Sequence, residues 1–218
     1  YTLVYTLSLH DALPICFRDF PLRKKMRDEF HVPVVLDNDV NVGTYGEFHF
    51  GAGRGLRHVL GLFPGTGIGG GLILDGRIYR GSTGSAGEIG HMILQPDGPL
   101  CGCGQRGCLE ALASKTSLAK EAVAAASRGR APTVQEDAGT DLSKARSKAL
   151  ARAFRSGDAD MCKAVNHAAR YLGIAMANAV NLLNPECIIL GGGLVEAMPN
   201  VFVDTARDSM REHAMAFP

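Results

Sequence analysis

The sequence predicts an α/β protein. Short apolar runs at 58–63 and 70–74 come first, and longer helical patterns follow across 115–184. A strand–glycine–helix unit then closes the chain from Cys187 onward. The 27 glycines are clustered rather than scattered, with one group at Gly65, Gly67, Gly69, Gly70 and Gly71 and another at Gly191, Gly192 and Gly193. Such clusters mark close backbone approach or turns needing positive φ.

The elements follow in order. Leu22, Met26 and Phe30 recur at i, i+4, i+8 in a charged stretch, which predicts a short amphipathic helix over 18–30. Val32-Pro33-Val34-Val35-Leu36 reads as a short buried strand entered by proline, ended by Asp37-Asn38-Asp39. Asn41 is a capping residue type, so a helix is expected from there to about Phe50. His58–Phe63 is a second apolar strand, and Gly70–Leu74 a third. Asp75-Gly76 is a hairpin signal returning through Arg77-Ile78-Tyr79. Residues 81–109 are glycine-rich and irregular. Helices are expected over 115–128, 143–155 and 158–184. In the last, Met161, Val165, Ala168, Leu172, Ala175, Ala179 and Leu183 form one apolar face, and Pro185 ends it. Cys187–Leu190 is a buried strand, and a helix covers about 199–214.

With 218 residues, 46% of them hydrophobic, there is ample apolar material for a core. A formal net charge of +1 without a basic block argues against a nucleic-acid binder. No apolar run reaches eighteen residues, so no membrane span is expected.

Residues 5–15, YTLSLHDALPI, resemble the translation of a common sequencing adapter. They do not read as a secretory signal: the segment has no basic start, and His10 and Asp11 interrupt its apolar run. Residues 1–15 are therefore expected to be non-native, and a cytoplasmic location is expected.

His91, Cys101, Cys103 and Cys108 supply one imidazole and three thiolates at H-x9-C-x-C-x4-C spacing. That set suits tetrahedral Zn²⁺ in a closed, structural site, since four protein ligands leave no open position for catalysis. Asp39 falls where a strand would end, facing the usual ligand crevice of an α/β sheet. It could serve as a general base, although a turn-forming aspartate looks the same. Glu88 and Glu110 each lie within three residues of a predicted metal ligand, so the ion would fix both. They could accept hydrogen bonds from sugar hydroxyls, or simply be solvated acids. The run Gly65-Thr66-Gly67-Ile68-Gly69-Gly70-Gly71 could turn backbone N–H groups and the Thr66 hydroxyl toward a phosphate; a glycine-rich strand turn explains it equally well.

Together, LDNDVN at 36–41, PGTGIGGGLILDG at 64–76, GSAGEIGH at 84–91, CGCGQRGCLE at 101–110 and NPECIILGGGL at 184–194 resemble the ROK family of repressors, open reading frames and kinases. The resemblance implies the actin-like ATPase (ribonuclease H-like) fold, mostly its second lobe, with residues 16–40 a remnant of the first lobe and 41–218 carrying sugar, zinc and part of the nucleotide site. It implies transfer of the γ-phosphate of Mg²⁺-ATP to a hexose, most often glucose at its 6-OH. Asp39 would be the base, and Asn38, Asp39, Glu88, His91 and Glu110 would hold the sugar, with His91 shared with zinc. Gly65, Thr66 and Gly67 would approach the phosphates, and Gly191, Gly192 and Gly193 the adenosine. Relatives are often homo-oligomers. The family's first phosphate loop, of Asp-x-Gly-Gly-Thr type, is not found, and the chain stops before the usual terminal helix, so little activity is expected of this polypeptide alone. A sugar-responsive repressor is the alternative, as are kinases of N-acetylmannosamine, N-acetylglucosamine, fructose or allose.

Overall fold

The computed structural model describes residues 20–141 and 143–216; the adapter-like segment lies outside them. Helix α1 (Leu22–Phe30) buries Met26 alone, and Phe30 stays 48% exposed, so only part of the predicted stripe is covered. Residues 32–36 are not a strand: Val34 is a lone bridge residue there. Pro33 has no N–H to donate, and His31, at φ 53°, turns the chain sharply just before it.

Helix α2 (Asp39–Phe50) begins two residues earlier than expected. Its cap is Asn38, whose side chain accepts from the N–H groups of Val40 (2.9 Å) and Asn41 (3.3 Å). Asn41, the expected cap, is instead buried within the first turn and donates its amide to Asp37 at 3.0 Å.

Strands β1 (Val59–Pro64), β2 (Ile68–Leu74), β3 (Arg77–Ile78) and β4 (Cys187–Leu190) form one sheet in the order β3-β2-β1-β4. β1 and β2 are an antiparallel hairpin with Pro64 opposite Ile68. β1 and β4 run parallel, Val59 opposite Cys187 and Leu62 opposite Leu190. Glu186 fastens the start of that parallel pair by accepting from the N–H groups of Arg57 (2.6 Å) and His58 (2.7 Å). Because β1 and β4 point the same way, their following glycines, Gly65 and Gly191, leave the sheet at the same end.

Strand β2 begins at Ile68, two residues before the expected Gly70, so of the run Gly65–Gly71 only Gly65, Thr66 and Gly67 form the turn. Gly69, Gly70 and Gly71 are strand residues crossed at close range. A Cβ on Gly71 would lie 2.8 Å from the Thr44 Cβ and 3.1 Å from the Val40 carbonyl, and one on Gly69 would strike Val40. The glycines let α2 lie against the sheet backbone.

The rest is helical: α3 (Leu109–Ala113), α4 (Lys115–Ala126), α5 (Pro132–Asp137), α6 (Ser147–Arg155) and α7 (Ala159–Leu183). The 25-residue α7 is the spine. Asp158 caps it through the Met161 N–H, Asn184 ends it in a left-handed turn at φ 44°, and Pro185 follows. Of its expected face, Met161, Val165, Ala168, Leu172, Ala175 and Ala179 are buried, and Leu183 is half-buried. The helix packs on α3, α4 and α6. The helix expected over 143–155 starts only at Ser147. That expected over 199–214 is a π-helical turn (Val201–Thr205) leading into α9 (Ala206–His213), which packs on α7. A one-turn helix α8 (Gly193–Ala197) follows β4. No helix among the described residues is long and apolar enough to cross a membrane.

Candidate functional site

A cleft of about 860 Å³ opens where β1 and β4 end. Such a crevice, beyond the carboxyl ends of parallel strands, is where open α/β sheets present ligands.

The first wall is the start of α2. Asp39 is the helix's first residue, held at the cleft edge by the Asn38 cap, and its Oδ1 accepts from the Val40 N–H at 3.0 Å. Capping occupies the Asn38 oxygen but leaves its amide N–H groups to donate. Asp37 braces the turn: Oδ1 accepts from the Asn38 N–H at 2.8 Å and from Asn41, and Oδ2 from Arg80 at 2.6 Å. Partial burial opposes the Asp37 charge. The Asn41, Asn38 and Arg80 donors outweigh it and hold the carboxyl below the usual carboxylate range.

The floor is the turn Gly65–Gly67. The Gly65 N–H bonds the Gly67 carbonyl at 2.8 Å. The Lys115 N–H donates to the Gly65 carbonyl at 2.9 Å, the Thr116 hydroxyl to the Thr66 carbonyl at 2.7 Å, and Glu110 Oε2 accepts from the Ile68 N–H at 3.1 Å. The turn's carbonyls are thereby tied back. The Thr66 and Gly67 N–H groups remain without a partner among the described residues.

The second wall is the loop Gly87–His91. Gly87 (φ 90°) and Gly90 lie against the β2 backbone, where a Cβ on either would meet the carbonyl of Gly70 or Ile68. This close seating explains the Gly-Glu-Ile-Gly-His spacing: Ile89 points into the core while Glu88 and His91 face the cleft.

Behind that wall the four expected metal ligands converge. The donor atoms of His91, Cys101, Cys103 and Cys108 all lie within 4.8 Å of one another. His91 Nδ1 is 3.7 Å from the Cys101 sulfur, and the Cys103 and Cys108 sulfurs are 3.7 Å apart. Zn–S bonds of about 2.3 Å at a tetrahedral angle put sulfurs ~3.8 Å apart, so the donors fit such an ion. Burial, with Cys103 and Cys101 adding to it, pushes the Cys108 thiol up to about 12. A divalent cation would reverse that penalty by stabilising thiolate. With Nδ1 on the metal side, His91 keeps Nε2 for the cleft. The cysteine–histidine cluster is local in sequence and continuous with the turn: Cys108 is the residue before α3, Glu110 lies within it, and Lys115 opens α4.

Of the residues expected here, Asn38, Asp39, Gly65, Thr66, Gly67, Glu88, His91 and Glu110 all line the cleft, as do Gly192, Gly193 and Cys103. Gly191 does not. It lies beneath, where a Cβ would stand 2.8 Å from the Phe63 ring. Gly192, at φ 89°, turns the backbone from β4 into α8 beside the Pro64 carbonyl. Phe63, Lys115 and Ser147 also line the cleft and were not anticipated. Ser147 reaches it only because α6 packs beside Gly193, and no local sequence signal marks it.

A mixed lobe with two glycine turns at one sheet end, an acidic helix start and a cysteine–histidine knot defines the class: an α/β lobe of the actin-like ATPase fold. The chain belongs to the ROK family, whose profile matches residues 6–218. It is 38% identical over 213 residues to a glucokinase of Halalkalibacterium halodurans, covering 96% of this chain and 62% of that one. It is 33% identical over 185 residues to the xylose repressor of Bacillus subtilis, covering 85% of this chain and 44% of the repressor. Among solved structures, the ROK family glucokinase of Streptomyces griseus, crystallised with glucose and AMPPNP, superposes with a TM-score of 0.77 at 34% identity. That match covers 90% of this chain and 63% of the other. The chain thus spans under two thirds of the length of these relatives.

Proposed function

We propose that this chain is the sugar- and nucleotide-facing part of an ATP-dependent hexose kinase, with glucose, phosphorylated at its 6-hydroxyl, the first substrate to test. The observation that carries this reading is that one cleft gathers a carboxylate at a helix start (Asp39), polar groups suited to a polyhydroxyl ring (Asn38, Glu88, His91, Glu110) and a turn with free amides (Thr66, Gly67). Likeness to glucokinases in sequence and structure supports it.

Phosphoryl transfer asks for positioning, charge neutralisation and one base within reach of the nucleophile. In this reading Asp39 accepts the hydroxyl proton as the sugar oxygen attacks the γ-phosphorus, while the bond from that phosphorus to the β-phosphate oxygen breaks and ADP leaves. Glu88 and Glu110 accept hydrogen bonds from other ring hydroxyls, the Asn38 amide donates one, and His91 Nε2 faces the same ring. The Thr66 and Gly67 N–H groups would receive phosphate oxygens, and Mg²⁺ entering with ATP would supply charge neutralisation there. The cysteine–histidine knot would hold Zn²⁺, whose part is to fix the flanking segments. Residues 41–218 form the sugar- and metal-binding lobe and residues 16–40 belong to the other.

The test is Asp39→Asn in the gene completed at its upstream end. Loss of a general base lowers kcat by roughly 10²–10⁴ while glucose affinity, read by calorimetry, changes little. Undiminished turnover would overturn the assignment of Asp39. The xylose repressors among the relatives favour a second reading, a sugar-responsive repressor. Upstream sequence encoding a helix-turn-helix instead of a phosphate loop would decide for it.

A further inference from the structure

We propose that Lys115 is a phosphate-binding residue of the cleft, placing its ammonium against the terminal phosphates of a nucleoside triphosphate; the inference rests on the kinase reading above. Charge is the first argument. The cleft is lined by three carboxylates, Asp39, Glu88 and Glu110, and among the described residues Lys115 is the one lysine or arginine that lines it. A polyphosphate entering so acidic a space is repelled unless a cation meets it.

The second argument is that this cation is uncommitted. Lys24 and Lys144 each lie within 4 Å of a carboxylate on their own helix or turn, at 2.6 and 3.8 Å. Lys115 is half-buried, and no carboxylate oxygen among the described residues comes within ion-pair distance of it. An ammonium on a cleft wall with no carboxylate within ion-pair distance is suited to an incoming anion.

Placement is the third. The Lys115 N–H is bonded to the Gly65 carbonyl and the Thr116 hydroxyl to the Thr66 carbonyl, so the lysine is anchored to the turn whose Thr66 and Gly67 N–H groups are free. Two amides of the turn and the ammonium of the helix residue bonded to it offer a phosphate donors from one anchored unit, the lysine acting as a mobile point charge.

Phosphate could also arrive on a sugar, so the experiment separates the sources. The protein completed at its upstream end and its Lys115→Met and Lys115→Arg variants are titrated calorimetrically with adenosine, Mg²⁺-AMPPNP and glucose 6-phosphate, and thermal melting checks their folding. Lys115→Met is expected to weaken AMPPNP at least tenfold and leave adenosine within twofold, with Lys115→Arg recovering most of the loss. AMPPNP binding to Lys115→Met equal to that of the parent chain would overturn the inference while leaving the kinase reading intact. So would equal losses for adenosine and AMPPNP, or a loss confined to glucose 6-phosphate. A completed parent protein that binds neither adenosine nor AMPPNP would overturn the kinase reading itself, and this inference with it.

Discussion

Replacing Gly71 by alanine probes how closely helix α2 is seated on the sheet. The added methyl would stand 2.8 Å from the Thr44 Cβ and 3.1 Å from the Val40 carbonyl, and would overlap the Thr44 hydroxyl. Carbon contacts settle at about 3.5–4.0 Å, so the helix must lift by ~0.7 Å or more at this point. Rotating Thr44 relieves only part of the overlap, because its Cβ does not move, and it breaks the 2.8 Å bond from its hydroxyl to the Val40 carbonyl in a fully buried place. Overpacking costs about 1–3 kcal/mol and the lost hydrogen bond about 1 kcal/mol, together roughly 2–4 kcal/mol. For a chain of this size that lowers Tm by roughly 4–16 °C, read by circular dichroism on heating. The double variant Gly71→Ala, Thr44→Ala should lose at least ~0.5 kcal/mol less than the two singles summed, since one change makes room for the other. A single variant melting within 2 °C of the parent, or strict additivity of the pair, would refute this picture. Because Asp39 opens the same helix, the proposed sugar binding should weaken along with Tm.

Other outcomes follow from the same geometry. Purified chain should carry about one equivalent of zinc by plasma mass spectrometry, and Cys103→Ser should lose it and melt earlier; a parent chain that takes up no zinc on titration would contradict the donor geometry. The Asp37 carboxyl is held low in the folded state, so its stabilisation is present above about pH 4 and fades as pH falls through the folded value. Asp37→Asn should therefore cost about 1–2 kcal/mol near neutrality, with the gap closing in acid; a gap independent of pH would count against the Arg80 and Asn41 contacts. Asn38→Ala should destabilise by ~1 kcal/mol through loss of the α2 cap, whereas Asn41→Ala should leave the helix start in place; urea titration distinguishes the two.

The legible features were those whose information is local. The candidate metal ligands lie within eighteen residues, and their chemistry is narrow enough that spacing alone brings out the set. α7 showed because its apolar period persists for 25 residues between a capping aspartate and a proline. What did not show depended on contacts between distant segments. Ile68 and Gly69 have the composition of a loop, and it is their pairing with Phe63 and Pro64 on the neighbouring strand that brings the start of β2 forward to Ile68. Asn38 and Asn41 are chemically equal caps, and the choice between them was made by Asp37, which engages the Asn41 amide. α3, α5 and α8 have five or six residues each, too few for a helical period to stand out. Lys115 and Ser147 look like ordinary helix-start residues until the fold brings them beside the glycine turns.

The run from Cys108 to Thr116 reaches the sulfur cluster at one end and the Gly65–Gly67 carbonyls at the other, with Glu110 between. It behaves as a ruler of fixed length. One inserted residue in its helical part would advance the remainder by ~1.5 Å and turn it by about 100°, swinging Lys115 and Thr116 off the turn while the cysteines stayed in place. Among the described residues between α4 and α6, none before Ser147 lines the cleft, so that connection can vary in length without that consequence.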